Sequence, residues 1–290
     1  MDAGERLVGV AASPSMTFIM APCDICGSTS SLELDEARRF GTGGVSVCTG
    51  CGFVHVKNRR PADEIAADWE RIYANGGYTA RWPMVEARLT YVAEWYAQTF
   101  GGWKGKTVLE IGAGEGRFLE MVRDRGAYPV GLEPSAEGCR AMRAKDIFAH
   151  HGTVETCGSV GKFDVVAILW TLENCQDCIG MLRSARANLA PAGHVMVATG
   201  SRILVPFKKP ISTYFSKNPP DCHAFRFSAN SLTNAMEKAD LSLAAINNYV
   251  DSDWMVAAAN ATTTDSKTLF RPDDPNEVLG FFRHWARVFP

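Results

Sequence analysis

Two rhythms of hydrophobic and polar positions run along this chain, and the switches between them mark its elements. Short apolar runs bounded by turn residues occur at 108–111, 129–132 and 163–169, the length and character of buried parallel strands. Between them the apolar residues recur at helical spacing, as at Phe118, Leu119, Met121 and Val122. Upstream, 61–73 reads as a helix with Ile65, Trp69 and Ile72 on one face, and 84–100 as a longer amphipathic helix leading into the first strand. Downstream, Ser228 starts a helix carrying Leu232, Ala235, Met236 and Ala239, and strands follow at 243–250 and 254–259. A final helix from about Asn276 to Val288 places Val278, Phe281, Phe282 and Trp285 on its apolar face. Strands alternating with helices as far as Ser201 predict an α/β fold built on a parallel sheet. The stretch 203–228 breaks both rhythms. Pro206, Pro210, Pro219 and Pro220 are interleaved there with aromatic and basic residues, and a loop of that length predicts a lid.

The most informative turn follows the first strand. Val108–Phe118 reads Val-Leu-Glu-Ile-Gly-Ala-Gly-Glu-Gly-Arg-Phe, so an apolar run ends in an acid and breaks into Gly112, Gly114 and Gly116. Glycines allow positive φ and close approach of a ligand to the backbone, while the helix start offers free N–H groups, so a nucleotide-like cofactor is expected. The dinucleotide fingerprint needs a glycine at the sixth place, which Arg117 occupies. The pattern is acid-x-Gly-x-Gly-x-Gly. A second strand ends in an acid, Glu133, 21 residues beyond Gly112. An apolar fourth strand follows at 163–169, and Leu-Ala-Pro-Ala-Gly-His-Val-Met-Val at 189–197 reads as a helix end, a Pro-x-Gly turn and a fifth strand.

This ordered set closely resembles the class I S-adenosylmethionine methyltransferases over roughly residues 85–260. The resemblance implies a Rossmann-like sheet of seven strands with the last one antiparallel. It also implies that Gly112, Ala113, Gly114 and Gly116 lie under the methionine part of S-adenosylmethionine, with Glu110 near its amino group. Glu133, followed by Pro134, would hold the ribose. Thr153 and Val154 would flank the adenine, and Leu169 and Trp170 would wall the pocket at the end of the fourth strand.

Composition adds a second module and removes several function classes. At 290 residues the chain accommodates one α/β domain and a smaller unit. The net charge of −2, with basic residues clustered only in pairs, argues against a nucleic-acid substrate. No apolar stretch approaches the roughly 18 residues of a membrane span. Four of nine cysteines form Cys23-x-x-Cys26-Gly27 and Cys48-x-x-Cys51-Gly52, two knuckles that can bring four thiolates into a tetrahedron for Zn²⁺. His55 is left out, because four cysteines already fill the shell. Reduced cysteines and a structural zinc fit a cytoplasmic protein. Cys175 and Cys178 form a third pair, but they lack the trailing glycine and a partner knuckle, so no metal or redox role is assigned to them. The expected organisation is a disordered extension at 1–20, a zinc-binding module at 21–58, a helical linker and cap at 59–101, the S-adenosylmethionine-binding domain at 102–260 with the lid at 203–228, and a C-terminal linker and helix at 261–290.

Catalytic candidates lie on the segments expected to cover the methyl group, at 73–82 and 203–228. His223 has the pKa suited to a base at neutral pH, and His-Ala-Phe-Arg-Phe-Ser at 223–228 resembles a His-x-x-x-Phe-Ser/Thr stretch of bacterial small-molecule methyltransferases. Tyr78 is the second candidate, and Arg81 beside it would touch the methionine carboxylate or the acceptor. A zinc module ahead of a class I domain is similar to the sugar C-methyltransferases, which implies oxygen or carbon methylation of a nucleotide-linked sugar or glycan precursor. Two other readings stay open: an RNA methyltransferase with a zinc module, and a non-enzymatic assembly protein that binds S-adenosylmethionine and zinc.

Overall fold

A computed structural model describes residues 19–41, 43–76, 82–217, 221–247, 254–262 and 269–290. The chain enters through β1 (Ile19–Met20), β2 (Ser31–Glu33), α1 (Asp35–Phe40), β3 (Val45–Cys48), β4 (Val54–Val56) and β5 (Asn58–Arg59). β2, β3 and β4 are joined by antiparallel ladders, and β1 pairs with β5. Ile19 and Met20, expected within a disordered extension, therefore lie in a strand. Two helices follow, α2 (Ala62–Ala74) and α3 (Trp82–Phe100). Val92, Ala93 and Tyr96 of α3 are fully buried, which fixes the face it turns to the protein.

The main sheet is built from β6 (Thr107–Ile111), α4 (Arg117–Arg123), β7 (Tyr128–Glu133), α5 (Ala136–Arg143), β8 (Phe148–His151), α6 (Val154–Cys157), β9 (Phe163–Leu169), α7 (Cys178–Ala187) and β10 (Leu189–Thr199). The remaining elements are α8 (Ile211–Tyr214), β11 (Phe225–Arg226), α9 (Ala229–Lys238), β12 (Leu241–Ile246), β13 (Met255–Ala261) and α10 (Pro275–Val288). Seven strands stand in the order β12-β13-β10-β9-β6-β7-β8. β6 to β10 are parallel, and β13 runs antiparallel to both of its neighbours, as the resemblance implied. Val165, Val166, Ala167 and Ile168 of β9 are covered on both faces, which is why that run carries no polar alternation. The chain order reverses between β6 and β9, so the ends of these strands open a crevice for a ligand. Ser228 caps α9 in a reciprocal pair with Ser231, the start that the sequence indicates.

Two expectations change. Pro191-Ala192-Gly193 is an irregularity inside β10, where the register against β9 shifts between Leu189 and His194 and Ala192 takes φ +62. The stretch 203–228, expected as a lid, is built into the N-terminal module. β11 pairs with β4, Phe225 opposite His55 and Arg226 opposite Val54, completing a four-stranded sheet β11-β4-β3-β2. Phe225 and Phe227 are fully buried against Phe53, with ring centroids at 5.9 and 5.5 Å. Ile211, Tyr214 and Phe215 share a core with Leu34, Val47 and Val54 of the module and with Val278, Phe282 and Trp285 of α10. The aromatic residues of this stretch thus serve burial. The knuckle residues Cys23, Ile25 and Phe53 in turn belong to the same hydrophobic cluster as Val166 and Leu232 of the sheet domain. Among the described residues, no helix is long and apolar enough to cross a membrane.

Candidate active site and metal centre

The crevice at the reversal point holds a cavity of about 460 Å³, within the range of small-ligand sites. Glu110, Gly112, Ala113, Gly114, Glu133, Pro134, Thr153, Val154, Leu169 and Trp170 all line it. Gly116 does not. It caps α4 at φ +72, and a Cβ there would lie 2.5 Å from Cγ of Met142, so its glycine serves the turn and the helix contact behind it. Gly114 at φ +54 faces the opposite way, with the Tyr73 hydroxyl 2.5 Å from where a Cβ would stand. α2 therefore lies across the glycine turn, and Ile65, Ala66, Trp69 and Tyr73 from it form part of the cavity wall.

The charges fit the expected cofactor. Glu110 is fully enclosed, its Oε2 has no hydrogen-bond partner among the described residues, and its carboxyl is held well above the usual range, first by burial and then by the charge of Glu133. A buried carboxyl in that condition gains from a ligand ammonium group. Glu133 is also raised by burial, while its Oε2 accepts from the Gly114 N–H at 2.8 Å and its Oε1 from the Ser135 N–H at 2.9 Å. These backbone donors fix the carboxyl group and leave each oxygen a second lone pair for a hydroxyl donor. The Thr153 hydroxyl is engaged in a capping box with Thr156 at the start of α6. Trp170 takes φ +52, a costly conformation for a bulky aromatic residue of the kind that collects at functional sites. The Arg88 guanidinium lies 4.3 Å over its ring, and Trp254 meets it edge-on at 6.3 Å.

Beyond Trp170 the wall carries His223, Cys222 and Glu173. His223 Nδ1 lies 2.8 Å from Ser201 Oγ and 3.3 Å from Asp221 Oδ1. Asp221 is held in turn by Arg226, whose side chain is wholly buried. A carboxylate beside Nδ1 favours the tautomer protonated there and leaves Nε2 as the acceptor. The near-neutral pKa expected for His223 is not kept: burial, partly opposed by Asp221, lowers it to about 4, so the ring is neutral at physiological pH. Tyr78 and Arg81 lie outside the described residues.

Glu173 also lines the cavity, at a position to which the sequence pattern assigns no role. The side chain is fully buried, Oε1 accepts from the Gly200 N–H at 3.3 Å, and burial raises it to about 7. Nor does the sequence place Tyr73 on the glycine turn, a contact made across the chain that no local pattern announces.

The four expected cysteines converge. Their Sγ atoms all lie within 4.8 Å of one another, with Cys23–Cys51 at 3.5 Å and Cys26–Cys48 at 3.4 Å. A tetrahedron with Zn–S bonds of about 2.3 Å needs sulfurs roughly 3.8 Å apart, so the set fits. Gly27 and Gly52 turn at φ +77 and +72, and their N–H groups donate to the carbonyls of Cys23 and Cys48 at 2.8 and 2.9 Å, closing each knuckle. His55 stands apart, stacked on Phe53 at 5.8 Å. Cys175 and Cys178 are buried and their thiols are pushed far up by burial, the opposite of what a redox thiolate needs.

Comparison with known proteins agrees with this geometry. A methyltransferase-domain family matches residues 84–246, more than half of the chain. A ubiquinone biosynthesis O-methyltransferase of Vibrio campbellii is 29% identical over a 148-residue alignment that covers 48% of this chain and 60% of that protein. The chain thus spans less than two thirds of that relative's length. A structure described as a SAM-dependent methyltransferase, possible histamine N-methyltransferase, from Thermotoga maritima has a TM-score of 0.52 at 21% identity, covering 68% of this chain and all of that one. A 1,6-didemethyltoxoflavin-N1-methyltransferase of Burkholderia thailandensis, solved with 1,6-didemethyltoxoflavin and S-adenosylhomocysteine, has a TM-score of 0.51 at 14% identity, covering 73% and 96%. At such identities the two structures show a shared fold.

Proposed function

The chain belongs to the methyltransferase-domain family, and on that premise we propose that it moves a methyl group from S-adenosylmethionine to oxygen or carbon of a small, sugar-containing metabolite. The observation that carries the cofactor assignment is the buried, unpartnered Oε2 of Glu110 beside the glycine turn, with Glu133 fixed by two backbone donors next to it. Glu110 receives the amino group, Glu133 the ribose hydroxyls, and Thr153 and Val154 flank the adenine. When bound, S-adenosylmethionine supplies an electrophilic methyl group on a sulfonium.

This chain's own part is orientation and proton removal. Neutral His223, steadied at Nδ1 by Ser201 and Asp221, accepts the acceptor's proton at Nε2. Trp170 and Trp254 wall the acceptor end and shield it from water. Cys23, Cys26, Cys48 and Cys51 hold a structural Zn²⁺. The sugar class rests on the likeness of the four-cysteine module to that of the sugar C-methyltransferases. The paired tryptophans favour a second reading, an aromatic hydroxyl as acceptor.

Calorimetry with S-adenosylhomocysteine, followed by transfer of labelled methyl from S-adenosylmethionine to a nucleoside-diphosphate sugar or to a catechol, tests these statements. Binding with label on the sugar supports the first reading, and label on the catechol favours the second. Absence of S-adenosylhomocysteine binding would overturn both.

A further inference from the structure

The methyl-transfer reading leaves one buried ion pair without a role. Asp24 sits inside the first knuckle, between Cys23 and Cys26, and takes both terminal nitrogens of Arg59, Nη1 at 2.7 Å. The two side chains are only 8% and 3% exposed. Arg59 does more than pair. Its Nη1 also donates to the backbone carbonyl of Gln176 at 3.0 Å, and its guanidinium lies 4.5 Å over the Phe225 ring. Gln176 is in the loop between the end of β9 and α7, and its side-chain Oε1 accepts from the N–H of Ala62 at 2.9 Å. Ala62 is the first residue of α2.

A continuous polar chain thus runs from the metal knuckle through Arg59 and Gln176 to the start of the helix that crosses the glycine turn. α2 needs such a hold, because none of its described residues is fully buried. Its apolar face looks into the cavity, and Tyr73 at its far end rests on Gly114. The only covalent link between Arg59 and α2 is Arg60-Pro61, so a shift of Arg59 passes directly to the helix. Asp24 is flanked by Cys23 and Cys26, and it meets Arg59 with the four thiols converged.

We propose that Arg59 is a positioning residue that couples closure of the four-cysteine knuckle to the placement of α2 over the cofactor pocket. The proposal rests on the reading of that pocket as the S-adenosylmethionine site. Coupling between two sites is reciprocal: if a closed knuckle tightens the cofactor, the bound cofactor tightens the metal by the same factor.

Arg59→Lys tests it, because lysine keeps a positive charge for Asp24 but lacks the fork that also reaches the Gln176 carbonyl. Neither Arg59 nor Asp24 lines the cavity, so direct cofactor contacts are untouched. Three quantities are read on zinc-loaded protein: affinity for S-adenosylhomocysteine by calorimetry, hydrogen exchange of amides 62–74 against those of the main sheet, and zinc affinity by competition with a chromogenic chelator. The expected result is a loss of S-adenosylhomocysteine affinity of about five- to tenfold, the scale of one net hydrogen bond. Exchange in 62–74 speeds up while the sheet stays protected, and the tightening of zinc by S-adenosylhomocysteine that the coupling requires of the unaltered protein disappears. Asp24→Asn is expected to act in the same direction. Affinity within twofold of the unaltered protein and unchanged exchange in 62–74 would overturn the proposal. So would a loss of affinity that comes with faster exchange throughout the sheet, which marks general destabilisation. Unaltered protein that binds no S-adenosylhomocysteine would instead refute the pocket assignment.

Discussion

Gly114→Ala probes the junction of the glycine turn, the cofactor and α2. The new Cβ would stand 2.5 Å from the Tyr73 hydroxyl and 3.1 Å from its Cζ, where relaxed contacts lie near 3.5 Å or beyond. Tyr73 must therefore retreat by about 1 Å, and it takes the end of α2 with it. The backbone adds a separate cost: an L-residue held at φ +54 pays ~1–2 kcal/mol. That part falls on folding and should lower the melting temperature by about 2–8 °C for a domain of this size. The displaced tyrosine and helix fall on binding, where a cost of ~1.4–2.7 kcal/mol corresponds to a 10- to 100-fold weaker Kd for S-adenosylhomocysteine. Isothermal calorimetry reads the affinity and scanning calorimetry the stability. Adding Tyr73→Phe removes the atom at 2.5 Å and leaves Cζ at 3.1 Å, which a small ring tilt relieves. The double variant should regain most of the affinity but none of the melting temperature. A single variant that binds within twofold of the unaltered protein, or a double variant that regains nothing, refutes the placement of Tyr73 on the turn.

Glu173→Gln should change how stability depends on pH. An unfolded glutamate releases its proton near 4.5, whereas buried Glu173 holds it to about 7. As pH rises between those values the folded state keeps a proton that the unfolded state has lost, so stability falls, by ~3 kcal/mol once pH passes 7. Glutamine should raise the urea midpoint at pH 8 and leave it nearly unchanged at pH 4; an equal effect at both would contradict the burial argument. His223→Ala should cut turnover by about 10²–10⁴-fold with S-adenosylhomocysteine affinity unaltered, and full turnover would remove it as the base. Metal analysis should return one zinc per chain, and Cys48→Ser should lower that content and loosen the sheet formed with β11, read by exchange at Phe225 and Arg226. Zinc well below one per chain in the unaltered protein would defeat the metal assignment.

Much of the site was written locally. Gly112 and Gly114 directly follow the first strand, Glu110 lies within it and Glu133 closes the next one, so strand ends and turn residues legible in the local pattern bring them together, as where Gly114 donates to Glu133. The two Cys-x-x-Cys-Gly knuckles are equally local, each closed by its own glycine turn. What the sequence did not show depends on partners far along the chain. The aromatic run at 203–228 lacks a period because it covers another sheet: Phe225 pairs with His55, 170 positions away. Gly116 matched a cofactor motif yet faces Met142, since only the packed α5 decides which side of a tight turn looks outward. Glu173 lines the cavity as a buried carboxyl only because the assembled core encloses it. The sequence by itself thus determined the alternating α/β pattern, the glycine turn with its neighbouring acids and the four-thiol set, because these follow from short-range geometry and residue chemistry. Only the tertiary structure decided that α2 lies across the turn, that the supposed lid completes the N-terminal sheet, and that Asp24, Arg59 and Gln176 meet, because such contacts are set by packing between segments that no local pattern brings together.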